Sequence, residues 1–135
     1  MDESRVIDAL LRTPATWAVV GLSGNRARAA YGVSAYLQEL GHTIVPVHPG
    51  ADTVHGAPGY ARLSDLPEAP DVVDVFVNSS RAGAVVDEAI AVGARAVWLQ
   101  LGVHAEQAVA RARRAGLVVV QDTCPAIEGR ARGLG

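Results

Sequence analysis

Apolar and polar positions alternate between two periods along this chain, and the switching defines its elements. Val6, Ile7, Leu10 and Leu11 recur at i, i+1, i+4 and i+5, one face of a short helix over 2–12 that Pro14 stops. Five short apolar runs read as strands: 17–22, 42–48, 72–77, 94–101 and 117–121. Helical spacing separates most of them, over 26–40, 81–92 and 105–115, and Gly41, Gly93 and Gly116 follow these helices at the position that favours a glycine stop. The inner face of the 26–40 helix is expected to carry Ala27, Ala30, Tyr31, Ser34, Leu37 and Leu40. Residues 51–62 carry Gly56, Pro58 and Gly59 and read as a long surface loop, with one helical turn at 63–66 before Pro67.

Alternating strands and helices predict an α/β fold: a Rossmann-like, doubly wound, five-stranded parallel sheet with helices on both faces. Right-handed crossovers with the first strand central give the expected order 3-2-1-4-5. One domain is expected over 1–135, with 129–135 as a flexible tail. Ligands in such folds bind outside the carboxyl ends of the strands. Those ends are 21–26, 46–50, 77–81, 101–104 and 122–125.

Composition narrows the chemistry. Only six residues are aromatic, so the core is expected to be Ala, Val, Leu and Ile, with Trp98 in the sheet core and Trp17 partly buried near the edge. A net charge of −2 gives no bulk attraction for nucleic acid or an anionic membrane. All twelve basic residues are Arg, so a Schiff-base or P-loop lysine is excluded. The lone Cys124 excludes an intramolecular disulfide, and with scattered His residues it argues against a metal site. No signal-like segment or run of about 20 apolar residues is present, so a cytoplasmic location is expected.

The most informative stretch is Ala18-Val19-Val20-Gly21-Leu22-Ser23-Gly24-Asn25-Arg26, a strand running into a Gly/Ser turn and a helix start. Backbone N–H groups and the helix dipole favour an anion at such a place. A dinucleotide fingerprint would place glycines where Ser23 and Arg26 stand, and an acid where the second strand ends in Val47-His48-Pro49. NAD is therefore disfavoured. Ser23, Asn25, Arg26 and Arg28 can hold a nucleotide carrying an additional phosphate; the competing reading is a tight turn with solvated arginines. Cys124, at a strand end, is a candidate for a mixed disulfide with a ligand thiol or for oxidation sensing, against burial as a small apolar residue. His48 and His104 also fall at strand ends, His104 as a cap of the helix that follows, whereas His42 and His55 read as surface residues. Nucleophile, base and orienting group nowhere form a constellation, so no catalytic residue is assigned.

Several segments together resemble the small CoA-binding proteins of bacteria and archaea, which are similar to the CoA-binding domain of the succinyl-CoA synthetase α subunit. They are Val19-Val20-Gly21-Leu22-Ser23, Ile44-Val45-Pro46-Val47-His48-Pro49, Asp71-Val72-Val73-Asp74-Val75-Phe76, Val97-Trp98-Leu99-Gln100-Leu101-Gly102-Val103 and Asp122-Thr123-Cys124-Pro125-Ala126-Ile127-Glu128, with a looser match over 85–90. The resemblance implies coenzyme A or an acyl-CoA across the strand ends of a Rossmann-like fold. It puts Gly21, Ser23 and Asn25 at the pyrophosphate and residues 46–49 beside the adenosine. Val77 and Asn78 would line the other side, with Leu101, Gly102 and Val103 flanking the ligand. The family's usual Arg after the Val-Phe of the third strand is Val77 here, so positive charge would come from Arg26, Arg28 and Arg81. The expected function is non-catalytic binding of a small nucleotide ligand. The alternatives are an NAD(P)-binding redox regulator and the CoA-holding subunit of a multi-component acyl-CoA ligase. Homodimerisation through the edge helix is left open.

Overall fold

The computed structural model describes residues 2–135. In chain order the elements are α1 (Glu3–Arg12), β1 (Thr16–Val20), α2 (Ala29–Glu39), β2 (Thr43–Val47), a 3₁₀ turn (Leu63–Asp65), β3 (Val72–Val75), α3 (Ser79–Ala91), β4 (Ala96–Leu99), α4 (Glu106–Arg114), β5 (Val118–Val120) and α5 (Pro125–Ala131). All five strands are parallel, as the alternating pattern predicts.

The sheet order is β2-β1-β3-β4-β5, which corrects the expected 3-2-1-4-5 in one placement: β3 pairs with β1, and β2 is an edge. Pro46 explains it. Its carbonyl accepts a hydrogen bond from the Tyr60 amide at 2.9 Å on the outer side of β2, so its ring nitrogen, which has no proton to donate, also faces outward. A strand on that side would meet a ladder position without a donor, which is why proline is confined to edges. By contrast Val72, Val73, Asp74 and Val75 are all buried, as a central strand requires.

Alternate side chains of the sheet enter two cores. Val73, Val75, Val97 and Leu99 face α3, α4 and Leu63. Trp17, Val19, Val72 and Trp98 face α1 and α2, and Val120 joins them. Trp17 is fully buried rather than partly so, with its ring 5.5 Å from that of Trp98 and 5.3 Å from that of His42. Burying side chains of this size contributes roughly 1.5–3 kcal/mol each, which makes this face as much a core as the other.

The helix at Gly41, Gly93 and Gly116 ends each time with a backbone bond closing from the residue after the glycine: His42 to Leu37, Ala94 to Ala89 and Leu117 to Ala112. Helix α2 starts at Ala29 rather than Arg26, and α3 starts at Ser79 rather than Arg81. Residues 129–135, expected as a flexible tail, include the end of α5, and Leu134 packs into the α1/α2 core. The guanidinium of Arg132 reaches both Asp8 of α1 (3.7 Å) and Glu128 of α5 (3.4 Å). Helix α5 is also why Val33 and Tyr36 of α2 are buried, in a small cluster with Cys124 and Ala126, whereas Ala27, expected on the inner face, precedes the helix and is exposed.

His42 corrects a second expectation. It is buried, its Nδ1 accepts from the Ala15 amide (3.2 Å) and its Nε2–H donates to the Leu11 carbonyl (2.9 Å). Desolvation pushes its pKa below 6.5, against the opposing pull of the Leu11 carbonyl. His55 is half-buried, with Nε2 2.7 Å from the Tyr31 carbonyl and its ring 4.3 Å from the Tyr31 ring. His42 thus ties the start of β2 to α1 and the entry to β1, and His55 ties the crossover loop to α2, instead of standing free on the surface.

Candidate functional site

Strand β1 delivers the chain to Gly21 between its two neighbours. The Gly21 amide donates to Val47 of β2 (2.8 Å), and the Phe76 amide beyond β3 donates to Val20 (2.9 Å). Gly21 has φ +101°, and a Cβ there would lie 2.9 Å from the Phe76 carbonyl oxygen. Only glycine satisfies both constraints, so the turn sits directly on the sheet end.

Beyond Gly21 the turn is closed by its own groups. Ser23 Oγ accepts from the Asn25 amide (3.2 Å), and Asn25 Oδ1 accepts from the Ala27 amide (3.0 Å). Asp52, from the long loop after β2, accepts from the Gly24 amide at 3.0 Å. The Arg26 guanidinium lies 5.8 Å from the centre of the Tyr31 ring, and Arg28 is the exposed N-cap residue of α2. The expected cradle residues are thus gathered on one turn, but an anion reaching Gly24 must exchange with a carboxylate.

Next to this turn, on the α3 side of the sheet, is a cavity of about 300 Å³. Six of the expected residues line it: Gly21, Val47, His48, Pro49, Val77 and Arg81. Val20, Ala61, Arg62, Leu63, Val85 and Glu88 complete the wall. Arg81, Val85 and Glu88 are one helix stripe, i, i+4 and i+7, and could have been found from that spacing once Arg81 was suspected. Ala61 and Arg62 come from the crossover between β2 and β3, for which sequence pattern offers no register. His48 Nδ1 accepts from the Gly50 amide (3.2 Å), so the neutral ring carries its proton on Nε2. Neither Arg62 nor Arg81 takes part in an ion pair among the described residues.

The remaining expected residues lie off this wall. Asn78 is the exposed N-cap residue of α3, and its Oδ1 accepts from the Ser80 hydroxyl. The turn after β4 is bolted down: the Gly102 amide donates to Asp122 (2.8 Å), and the His104 amide donates to Ser79 Oγ (3.0 Å). Leu101 is half exposed there and Val103 is buried. The N-cap of α4 is Ala105, not His104. Cys124 is buried in the α2–α5 cluster and does not reach the cavity, which favours the packing reading of that thiol.

In the sequence, Asp74 has no role beyond the motif it belongs to. Its carboxyl is fully buried on β3, facing the α1/α2 side, with no hydrogen-bond partner on either oxygen. Burial therefore raises its pKa well above the usual carboxylate range.

The parallel sheet and the cavity at its carboxyl ends define a Rossmann-like α/β protein. A model of the CoA binding domain matches residues 15–130, and the chain belongs to that family. It is 31% identical over 118 residues to the uncharacterized protein YneT of Bacillus subtilis, covering 87% of each chain. A hypothetical protein from Pyrococcus horikoshii OT3 superimposes with a TM-score of 0.90 at 34% identity, over 98% of this chain and 92% of that one. The dinucleotide-forming acetyl-coenzyme A synthetase 1 of Ca. Korarchaeum cryptofilum aligns with a TM-score of 0.71 at 26% identity, over 81% of this chain but only 26% of the synthetase. Among the described residues no helix is long and apolar enough to cross a membrane.

Proposed function

We propose that this protein binds coenzyme A or an acyl-CoA, without catalysing a reaction on it, at the carboxyl ends of its strands. The observation that carries the reading is the cavity between Gly21, His48, Pro49 and Val77 in a chain of the CoA binding domain family. The residues present fit the ligand. Gly21 lets the turn sit directly on the sheet end beside the cavity, Val47, Pro49, Leu63 and Val85 offer an apolar seat for the adenosine, and Arg62 and Arg81 supply positive charge. At about 300 Å³ the cavity is at the lower end of ligand pockets. It takes the nucleoside end of CoA, while the diphosphate crosses the 21–26 turn toward Arg26 and Arg28 and the pantetheine continues over the surface.

The alternative of a CoA-holding subunit for a partner's ligase chemistry is favoured by one observation, the similarity to a quarter of a synthetase. Copurification with a ligase partner would select it. The test of the main reading is calorimetric titration of ligand-stripped protein with CoA, acetyl-CoA, NAD and NADP. Saturable micromolar binding of CoA or acetyl-CoA, weakened by Arg26→Ala, is expected. Binding of NADP in their place would overturn the reading in favour of a redox regulator.

A further inference from the structure

The two edges of the sheet are finished differently. At β2 the outward donor is missing at Pro46, and Tyr60 covers the strand: its amide donates to the Pro46 carbonyl (2.9 Å) and its carbonyl accepts from the His48 amide (3.0 Å). At β5 nothing of this kind is present. Residues 117–121 read Leu-Val-Val-Val-Gln, without a charge, a proline or a glycine. Natural proteins blunt such an edge unless another chain covers it. Val118 is 40% exposed there, beside an apolar cavity of about 290 Å³ between β5 and α1 that Leu10 and Pro14 also line. The unused backbone groups follow from the register. The Val118 amide donates to the Arg95 carbonyl at 3.0 Å, so Val118 and Val120 bond inward to β4, and Val119 and Gln121 face outward. The Leu117 amide is taken by the Ala112 carbonyl, and the Gln121 carbonyl by the Thr123 hydroxyl. The Leu117 carbonyl, both groups of Val119 and the Gln121 amide remain without a partner among the described residues. Helix α4 lies over β5 and beside α3, to which Arg111 ties it through Asp87 at 2.9 Å. On the flank turned away from α3, Glu106, Ala110 and Arg113 form a stripe at i, i+4 and i+7. Neither Glu106 nor Arg113 takes part in an ion pair among the described residues.

We propose that β5 is the interface of a homodimer, in which two copies of this chain join edge to edge, antiparallel, into one continuous sheet. The two-fold axis stands perpendicular to the sheet at Val119. The Val119 amide donates to the carbonyl of the partner's Val119, and the Gln121 amide donates to the carbonyl of the partner's Leu117; the axis makes each bond twice. The donors left free on β5 are thus matched by the acceptors left free on the same strand. The same rotation sets α4 antiparallel to its copy, so Glu106 meets the partner's Arg113, and the small Ala110 between them lets the helices approach. On the other face the exposed Val118 is covered. A second copy fits this edge better than an unrelated strand, because one rotation satisfies the backbone groups and the charges together. None of these residues lines the strand-end cavity, so the interface is independent of the CoA reading.

The test is sedimentation velocity of the full chain over a concentration series, in wild type and in four variants. Wild type should sediment as a dimer. Val119→Pro removes an outward amide and no bond to β4, so it should be monomeric with an unchanged circular dichroism spectrum. The charge variants decide the matter even where the proline disturbs β5. Glu106→Arg and Arg113→Glu each turn a pair that occurs twice from attraction to repulsion, and each should weaken the dimer about tenfold. The exchange Glu106→Arg/Arg113→Glu should restore wild-type association. A wild type that is monomeric at every concentration would overturn the proposal. A dimer that persists in folded Val119→Pro, or that both single reversals leave unchanged, would place the interface elsewhere and overturn it as well.

Discussion

Asp52 and Gly24, 28 residues apart, meet at 3.0 Å through a carboxylate oxygen and a backbone amide. The Asp52 side chain thus occupies a donor that a ligand phosphate would otherwise use, and carries the same sign of charge. Two unit charges 4 Å apart in water-like surroundings repel by about 1 kcal/mol. Asp52→Asn keeps an acceptor for the amide and removes the charge. CoA should then bind about fivefold more tightly in calorimetric titration, with the difference shrinking as salt is raised. Unchanged affinity would show that the diphosphate does not approach this turn.

Gly21→Ala meets two obstacles at once, a left-handed backbone and the Phe76 carbonyl. Together they should cost about 2–3 kcal/mol in urea unfolding, in line with other residues forced into sparsely populated backbone regions. Gly24→Ala is the control, since the only atom near a Cβ there is the far end of the Asp52 side chain at 3.7 Å. It should leave the unfolding midpoint nearly unchanged.

Two buried groups give the stability opposite slopes with pH. Asp74 has a raised pKa in the fold, so it binds its proton more tightly there than in the unfolded chain. Its contribution is complete below its ordinary value of 3.8 and is lost as pH rises toward the folded pKa. His42 has a lowered pKa, so its contribution is complete above 6.5 and is lost as pH falls through the folded value. Protonating its Nδ1 also breaks the bond from the Ala15 amide. Unfolding free energy measured from pH 4 to 9 should lose its decline toward high pH in Asp74→Asn. A decline of unaltered slope in that variant would mean that Asp74 gains a partner for its charge.

Helix α5 approaches α2 so closely that a Cβ at Gly129 would overlap the ring and hydroxyl of Tyr36. Tyr36 is buried, its hydroxyl has no partner, and Arg130 lies 4.8 Å from the ring centre. The ring therefore has little room to turn aside. Gly129→Ala should destabilise by about 1–3 kcal/mol, as overpacking does, and thermal unfolding would measure it. A smaller cost in Tyr36→Phe/Gly129→Ala than in Gly129→Ala alone would assign the clash to the hydroxyl.

Most of the architecture was legible because its signals are local. Alternation of strand and helix and the three glycine stops are read from short stretches of chain. The position of β3 was not read, although Pro46 carried the information: a proline inside an apolar strand marks an edge. The site divides in the same way. Gly21, Val47, His48, Pro49 and Val77 are strand-end residues, and topology alone brings them together. Arg62 was missed because the crossover loop offers no register in the sequence, whereas Glu88 follows from the helical spacing that starts at Arg81. Trp17 and His42 are buried against α1, and Cys124 against α2 where α5 begins, arrangements without a periodic signature.

The sheet has a further consequence as a partition. The cavity and its arginines lie on the α3 side, whereas the tight α2–α5 contact, the Arg132 bridges and the buried Asp74 lie on the other. Changes on opposite sides of a packed sheet share few neighbours, and effects of such separated sites add. Heat tolerance and ligand choice can therefore drift independently in this fold, each adjusted by substitutions that leave the other untouched.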